Sequence, residues 1–496
     1  MSEFDIQRQQ RLDKIEQLRR KGINPYPNDF SPSINIPKAL DKYDGFKEDT
    51  ELSETVSIAG RLLSKRGHGK TCFAHLIGEG ARLQIYVRKD NLEEETFKQF
   101  IDLDLGDMIG VTGKIFRTRT GELTIMVEQF CLLAKSLRPL PEKWHGLKDI
   151  ETRYRQRYLD LFSNPETRDI FILRSKLINL IREFFNHLGF IEVETPMMQA
   201  IPGGATARPF KTFHNALNRE LYLRIAPELY LKQLVIGGFD RIYELNRNFR
   251  NEGLSTEHNP EFTMLEFYMA YANYKDLIQL TEKLFCELAN KIKGTLSWEY
   301  QGKQLDFASP WKCLTLRESI LEYTDLKESD LNDKSIIVQK IMNEDLIMEV
   351  PLTGKESHGK LLMKIFETLV EPNLIQPTFI IDFPKDVSPL ARSKDSKPDL
   401  VERFELYIAG KELANAFSEL NDPIDQKKRF LQQVEEAEAD GIVKKVDEDY
   451  VQALEYGLPP TAGEGIGIDR LVMIFANVPS IREVIFFPQL REIQRP

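Results

Sequence analysis

The sequence predicts an α+β protein in which a small N-terminal β-barrel precedes a larger domain of mixed helices and strands. Three observations carry this. Residues 56–133 read as short alternating runs, among them VSIAGRLL, RLQIYVRK, MIGVTGKIF and LTIMVEQF, set between Gly67, Gly69, Gly80, Gly106, Gly113 and Gly121. After residue 170 the text changes to a long amphipathic helix, a glycine stop, a strand and further strand pairs. The 496 residues exceed what one ordinary core accommodates, so two or three domains are expected.

In chain order, residues 1–50 form an N-terminal helical extension. Its helix over 3–21 carries Ile6, Leu12, Ile15 and Leu18 on an otherwise charged surface and ends at Gly22, ahead of Pro25 and Pro27. Docking on the next domain and contact with a nucleic acid are both open to it. The barrel is expected over 51–140. Its residues 55–135 hold twelve Lys or Arg against ten Asp or Glu, slightly basic within an acidic chain, and Arg61, Lys65, Arg66 and Lys70 cluster on one strand and its turn. Small five-stranded barrels bind single strands through stacking aromatics beside a basic groove. Phe73 and Gln84, on successive strands near that turn, fit such a surface or serve as ordinary strand filler. A linker, 141–165, follows Arg138-Pro139-Leu140-Pro141, and the large domain occupies 166–496. There the helix Ile170–Leu188 stops at Gly189, FIEVETP is a strand closed by Pro196, and 426–456 is a charged helical insertion.

Composition narrows the class. Hydrophobic residues at 42% and charged residues at 29% are ordinary for a globular protein, and no tract of about twenty apolar residues is present to span a bilayer. The start, MSEFDIQRQQRLDKIEQLRRKG, lacks the apolar segment of a secretory signal, so a cytoplasmic location is expected. A formal net charge of -10 excludes indiscriminate nucleic-acid binding and confines any such site to a local patch. Cys72, Cys131, Cys286 and Cys313 are scattered without metal-binding spacing and are expected to be buried free thiols.

Three stretches carry chemistry. RIYELNRNFRNEGLSTEHNPEFTMLEFYMAY, 241–271, reads as strand, polar loop, strand, with Phe262, Glu266 and Tyr268 on one face. An aromatic ring and a carboxylate about 13 Å apart suit an extended substrate with a base at one end and a polar group at the other. Arg250, at the end of the first strand, can grip a phosphate with two hydrogen bonds. His258 and Glu252 lie in the loop. The second stretch, RFELYIAGKELANAFSELND, 403–422, places two strands around a turn at Ala409-Gly410. Asn415, Phe417 and Glu419 share one face, and Ala414, Ala416 and Ser418 the other. Glu405 and Glu412 bracket the turn as candidates to share a divalent cation, although Glu412 has the wrong parity to face Asn415 unless a bulge intervenes. The third, TAGEGIGIDRLVMIFAN, 461–477, leaves too little chain behind Gly463, Gly465 and Gly467 for a dinucleotide fold. Its glycines permit close approach of backbone to a ligand, Asp469 is expected to cap a helix, and Arg470 is expected to be a second phosphate clamp.

Together these blocks resemble the three signature motifs of the class II aminoacyl-tRNA synthetases, and the text between them resembles the lysine-specific members. The resemblance rests on GFIEVETPMM, IPGGATARPF, LRIAPELYLK, FRNEG with EHNPEFTMLE, and GIGIDR, and runs from SKRGHGK and LFSNPETR to the C-terminal FFPQLR. It implies an N-terminal OB-fold that reads the anticodon of tRNA(Lys), and a catalytic domain built on an antiparallel sheet flanked by helices. It further implies a homodimer formed through the first signature motif, and the lack of a long apolar tract points to no membrane association. Carried over position by position, Arg250 and Arg470 are catalytic. ATP is bound by these two with Glu252, His258, Asn259, Phe262, Glu405 and Glu412, and the last two hold Mg²⁺. L-lysine is bound by Gly204, Glu228, Glu266, Tyr268, Asn415, Phe417 and Glu419, and the anticodon by Arg66, Phe73 and Gln84. The sequence departs from the family pattern at Ala416, where glycine is common, and at Glu464, expected to add negative charge near the phosphate clamp.

The reaction so implied is activation of lysine as an adenylate and its transfer to tRNA, with release of pyrophosphate and AMP. A substrate with two ammonium groups needs carboxylates, and Glu228, Glu266 and Glu419 supply them. Two other readings stay open. A lysyl transferase acting on protein resembles the catalytic domain but lacks the barrel, and a noncatalytic scaffold would have lost its charged site residues first.

Overall fold

The computed structural model describes residues 3–45, 51–140, 147–205, 207–343, 356–439 and 445–492. Residues 141–146 of the expected linker, Thr206 of IPGGATARPF and residues 440–444 of the charged insertion lie outside the described residues. The chain divides into two compact units, Met1–Asp169 and Ile170–Pro496. Among the described residues no helix is long and apolar enough to cross a membrane.

In the first unit the alternating runs become β1 (Glu51–His68), β2 (Thr71–Gly78), β3 (Ala81–Arg88), β4 (Met108–Arg117) and β5 (Leu123–Ala134). They close into a barrel in the order β1-β2-β3-β5-β4, with β3 and β5 parallel and the remaining neighbours antiparallel. Period-two patterning sends Ile58, Leu76, Ile85, Val111 and Ile125 inward, all fully buried. Each such side chain contributes about 1.5–3 kcal/mol relative to exposure. The helix Glu3–Arg20 keeps Ile15 buried and Ile6 exposed. Arg11 donates to the Ser136 and Arg138 carbonyls at 3.0 Å each, and Lys14 pairs with Asp104 at 2.7 Å, so this helix docks on the barrel.

The second unit is built on an eight-stranded sheet. Its strands are β6 (Ile191–Glu192), β7 (Arg241–Phe249), β8 (Glu261–Ala270), β9 (Lys312–Thr315), β10 (Thr378–Ile381), β11 (Arg403–Ile408), β12 (Lys411–Ser418) and β13 (Thr461–Gly467). The order is β9-β10-β11-β12-β13-β8-β7-β6, antiparallel through the middle with a parallel pair at each edge. One face packs on three helices, Pro165–His187, Tyr274–Lys293 and Ile468–Ala476, around Phe185, Tyr243, Phe267, Leu284 and Phe475. The small side chains of Ala414, Ala416 and Ser418 fall on that face. They let the helix Tyr274–Lys293 approach closely enough for the Tyr274 N–H to bond Ser418 Oγ at 3.1 Å.

Several expectations are corrected. FIEVETP contributes only a two-residue strand, because the Thr195 N–H and hydroxyl both donate to Glu244 and draw the chain off the ladder before Pro196. The glycine series lies on the strand β13. Asp469 does not cap the helix Ile468–Ala476; Gly467 stands at the cap. The Asp469 carboxylate accepts from the Thr263 N–H at 2.7 Å and from Arg174 at 2.6 Å, tying that helix to β8 and the first helix of the unit. The cysteines are free, but only Cys72 is buried; Cys131 and Cys286 are half-buried and Cys313 is exposed.

Candidate functional site

The middle of the sheet presents one polar face. Register sets Glu244, Glu266, Gly465, Asn415 and Glu405 side by side across β7, β8, β13, β12 and β11. The next row sets Tyr268, Gly463, Phe417 and Arg403 side by side. The glycines of β13 therefore separate the functional side chains of β8 from those of β12. A Cβ at Gly463 would collide with the Tyr268 ring and lie 2.5 Å from Glu419 Oε1, and one at Gly465 would collide with the Met264 methyl. The bulge that Glu412 required is present: Leu406 pairs with Ala414 but Tyr407 with Glu412, so Leu413 is the extra residue and Glu412 returns to the face of Asn415.

Over this face lies a cavity of about 630 Å³. Of the residues expected in the large domain's site, Gly204, Glu228, Arg250, Glu252, His258, Asn259, Phe262, Glu266, Tyr268, Glu405, Glu412, Asn415, Phe417 and Arg470 line it. Glu419 is buried beside it, its Oε1 over Gly463.

At one end stand the cations. The Arg250 guanidinium lies 5.1 Å from the centre of the Phe262 ring, and its Nε is buried without a hydrogen-bond partner among the described residues. Arg470 donates to the Glu412 carbonyl at 2.6 Å and to His258 Nε2 at 3.2 Å. Since an arginine can only donate, that nitrogen is the unprotonated one, leaving Nδ1 facing Ser255 Oγ at 2.9 Å. Asn259 is already committed, donating to the Glu261 carbonyl at 2.6 Å and accepting from the Gln489 N–H at 3.1 Å. Glu405 is bonded to Arg403 and accepts from the Tyr407 hydroxyl at 2.5 Å, and burial raises its pKa against the pull of Arg403. Beside it Glu371, which sequence reasoning missed, is pushed up to about 8 by burial and by Glu412. Among the described residues no three ligand side chains converge at metal-binding distance. Yet carboxylates crowded enough to suppress each other's ionisation fit a hard cation completed by phosphate oxygens.

At the other end stand the carboxylates. Burial pushes Glu266 up to about 8, reinforced by Glu228. Burial also raises Glu228 and Glu419, against the opposing pull of Lys232. Lys232 is the second residue that sequence reasoning missed. On the helix Glu228–Ile236 it lies one turn beyond Glu228, fully buried, 2.5 Å from Glu228 Oε1 and ion-paired with Glu419 Oε2. A charged pair at i,i+4 normally marks a solvent face. Here its neighbours Leu229, Leu231 and Val235 are all buried, and that apolar surround was the available signal. Gly204, at φ +84°, completes the wall, because a Cβ there would meet Glu228 Cβ at 2.9 Å.

Glu464 is a correction. It sits on the opposite face of the sheet, against Phe267 and Ala416, and bonds Thr281 at 2.7 and 2.8 Å. It adds no charge at the phosphate clamp, and burial pushes it up to about 8.

On the barrel, Arg66 faces Phe73 across β1 and β2, and Phe73 stacks on Tyr86 at 4.4 Å. Phe73 is exposed. Gln84 is buried, its amide donating to Glu122 at 2.7 Å and accepting from Thr124 at 2.8 Å. Tyr86 and Glu122 were not anticipated. The basic cluster is smaller than expected, since Arg61 bonds the Gly106 carbonyl and Lys65 the Ile101 and Leu103 carbonyls, leaving Arg66 and Lys70 exposed.

Residues 149–491 match the family model of the class II tRNA synthetases (D, K and N), and residues 56–133 that of the OB-fold nucleic acid binding domain. The chain is 52% identical to the lysine–tRNA ligase of Carboxydothermus hydrogenoformans over 97% of both chains. It is 52% identical to that of Magnetococcus marinus over 96% of this chain and 95% of the relative. With that of Aquifex aeolicus it shares 57% identity over 88% of this chain and 73% of the relative. A cavity with arginines at one end and buried carboxylates at the other, on a sheet of this order, thus accompanies likeness over nearly the whole length: the chain belongs to the class II tRNA synthetases, in the family of the lysine–tRNA ligases.

Proposed function

We propose that this protein joins L-lysine to tRNA(Lys) at the expense of ATP, by way of lysyl-adenylate. The observation that carries the reading is the polarity of this cavity. Unpartnered guanidinium nitrogen at Arg250 suits phosphate, and the Glu228, Glu266 and Glu419 cluster suits a substrate with two ammonium groups.

Lysine lies with its ammonium groups toward Glu228, Glu266, Tyr268 and Glu419, and its carboxylate toward Arg250 and Asn415. ATP lies with adenine on Phe262 and its phosphates between Arg250, Arg470 and His258, with Glu252 and Asn259 shaping the loop. The lysine carboxylate attacks the α-phosphorus in line, and pyrophosphate leaves. Arg250 neutralises the charge that builds on the equatorial oxygens, and no general base is needed because the nucleophile is already an anion. Glu405 and Glu412 are the residues that would hold Mg²⁺, which when bound supplies charge neutralisation for the pyrophosphate. In the second step the terminal adenosine hydroxyl of the tRNA attacks the adenylate carbonyl and AMP leaves.

Arg66, Phe73 and Gln84 read the anticodon, with Tyr86 extending the stacking surface and Glu122 fixing the Gln84 amide. Exposed Ile191, Met198 and Phe213, around GFIEVETPMM, support a homodimer through that region. The enzyme acts in the cytoplasm. A panel of amino acids in the ATP–pyrophosphate exchange assay tests the reading: exchange is expected with lysine, and its absence, or equal exchange with an uncharged amino acid, overturns it.

A further inference from the structure

The buried Lys232 ammonium has no part in the reaction just described and does not line the cavity, yet it lies between two carboxylates of the amino-acid end. Its two carboxylate partners come from different elements, Glu228 from the same helix and Glu419 from the end of β12. The rings of Phe417 and Tyr450 close around it at 5.3 and 5.9 Å, the latter from the helix Glu448–Glu455 of the charged insertion. The nearest approaches of Lys232 are to Glu228 Oε1 and Glu419 Oε2. The other oxygen of Glu228 lies 3.5 Å from where a Cβ of Gly204 would stand, and Glu419 Oε1 lies 2.5 Å from that of Gly463. Both glycines line the cavity. Both Glu419 oxygens are buried without a hydrogen bond among the described residues; Oε2 meets the Lys232 ammonium as an ion pair, while Oε1 is left in a costly state unless a ligand supplies a donor.

We infer that Lys232 is the positioning residue of the amino-acid pocket: by pinning one oxygen each of Glu228 and Glu419, it turns their opposite oxygens toward the cavity floor to receive the substrate's ammonium groups. The inference rests on the proposed reading of the cavity as a lysine site. It makes a buried cation part of a pocket that selects a cation. Two buried carboxylates facing one empty volume would otherwise share a proton and rotate toward each other. The ionisable groups around the pair are Lys232 and Glu228 on one helix, Glu266 and Tyr268 on β8, Arg403 on β11, which also favours the charged form of Glu228, Glu419 after β12, and Tyr450 on the insertion helix. Of these, Lys232 is the one that favours the charged form of Glu419, opposing burial, Glu228 and Glu266.

The test is steady-state ATP–pyrophosphate exchange by the full-length protein carrying Lys232→Met or Lys232→Arg, reading KM for lysine, KM for ATP and kcat separately. For Lys232→Met, KM for lysine is expected to rise at least about tenfold while KM for ATP stays within about twofold. That penalty is expected to be larger near about pH 6.5 than near about pH 8.5, since carboxylates without the ammonium bind protons more tightly. Lys232→Arg, which keeps the charge, is expected to restore KM for lysine to within about fivefold of wild type. An unchanged KM for lysine in Lys232→Met, or a pH-independent loss shared by lysine and ATP, overturns the inference. Should Lys232→Met not fold, a cycle of Lys232→Arg with Glu419→Gln decides: the arginine effect on KM for lysine should be smaller in the glutamine background, where only Glu228 remains to be held, and an equal effect in both backgrounds overturns it. A wild-type protein without lysine-dependent exchange would instead fail the reading of the cavity itself.

Discussion

The two ends of the cavity solve opposite electrostatic problems by opposite means. At the amino-acid end the charged groups are buried and already paired: Glu228 and Glu419 meet Lys232 before any ligand arrives, and Glu266 is pushed up to about 8 by burial. At the phosphate end the cations are half-buried and less committed, Arg250 through its unpartnered Nε and Arg470 through bonds to a carbonyl and an imidazole beside the Glu412 carboxylate at 3.6 Å. The difference follows from ligand hydration. A triphosphate brings several charges and can arrive with its own cation, so that end can stay open. A single ammonium must be recognised against water, and only a desolvated carboxylate in fixed orientation separates it from neutral analogues.

If the ends are distinct, they should fail differently. The largest effect is expected at the phosphate end: Arg250→Ala should lower kcat/KM in lysine-dependent exchange by about a thousandfold, acting mainly on kcat, and wild-type exchange in this variant would remove Arg250 from the reaction. Glu419→Gln should raise KM for lysine about a hundredfold with KM for ATP nearly unchanged, and a parallel loss for both substrates would dissolve the distinction between the ends. Gly463→Ala, by pressing a methyl group against the Tyr268 ring and Glu419, should cost about tenfold in lysine affinity by calorimetry while leaving nucleotide binding intact.

The smallest effect belongs to neither end and sharpens the boundary between the two faces of the sheet. Glu464 is pushed up to about 8 when folded, above its ordinary value, so the stability associated with its protonated form is present below the unfolded pKa and is lost as pH rises through about 8. Between about pH 7 and about pH 9, wild-type protein should therefore lose about 1 kcal/mol more stability than Glu464→Gln in denaturant titrations, with exchange activity within about twofold. A large loss of ATP affinity in that variant would return Glu464 to the phosphate side.

Much of this site was legible in the sequence for a local reason. Strand parity orders side chains over a few residues, so Phe262, Glu266 and Tyr268 were recognisable as one face, and so were Asn415 and Phe417. Barrel strands and glycine turns follow from equally local patterning. Where the reading failed, the deciding partner was far along the chain. Asp469 looks like a cap until Arg174 and the Thr263 N–H claim it, and Glu464 looks like a clamp neighbour until Thr281 shows which face it occupies. The hold of Glu122 and Thr124 on the Gln84 amide was likewise beyond the reach of local pattern.

The sequence by itself determined the α+β class, the barrel and the chemical inventory of arginines and carboxylates, because these depend on residue type and short-range period. Only the tertiary structure decided that a leucine bulges from β12 to bring Glu412 onto the site face, and that an unremarkable Glu228–Lys232 spacing lies buried against Glu419. Bulges and buried ion pairs are fixed by which strands and helices meet, and that meeting is settled by burial summed over the whole chain rather than by any one segment.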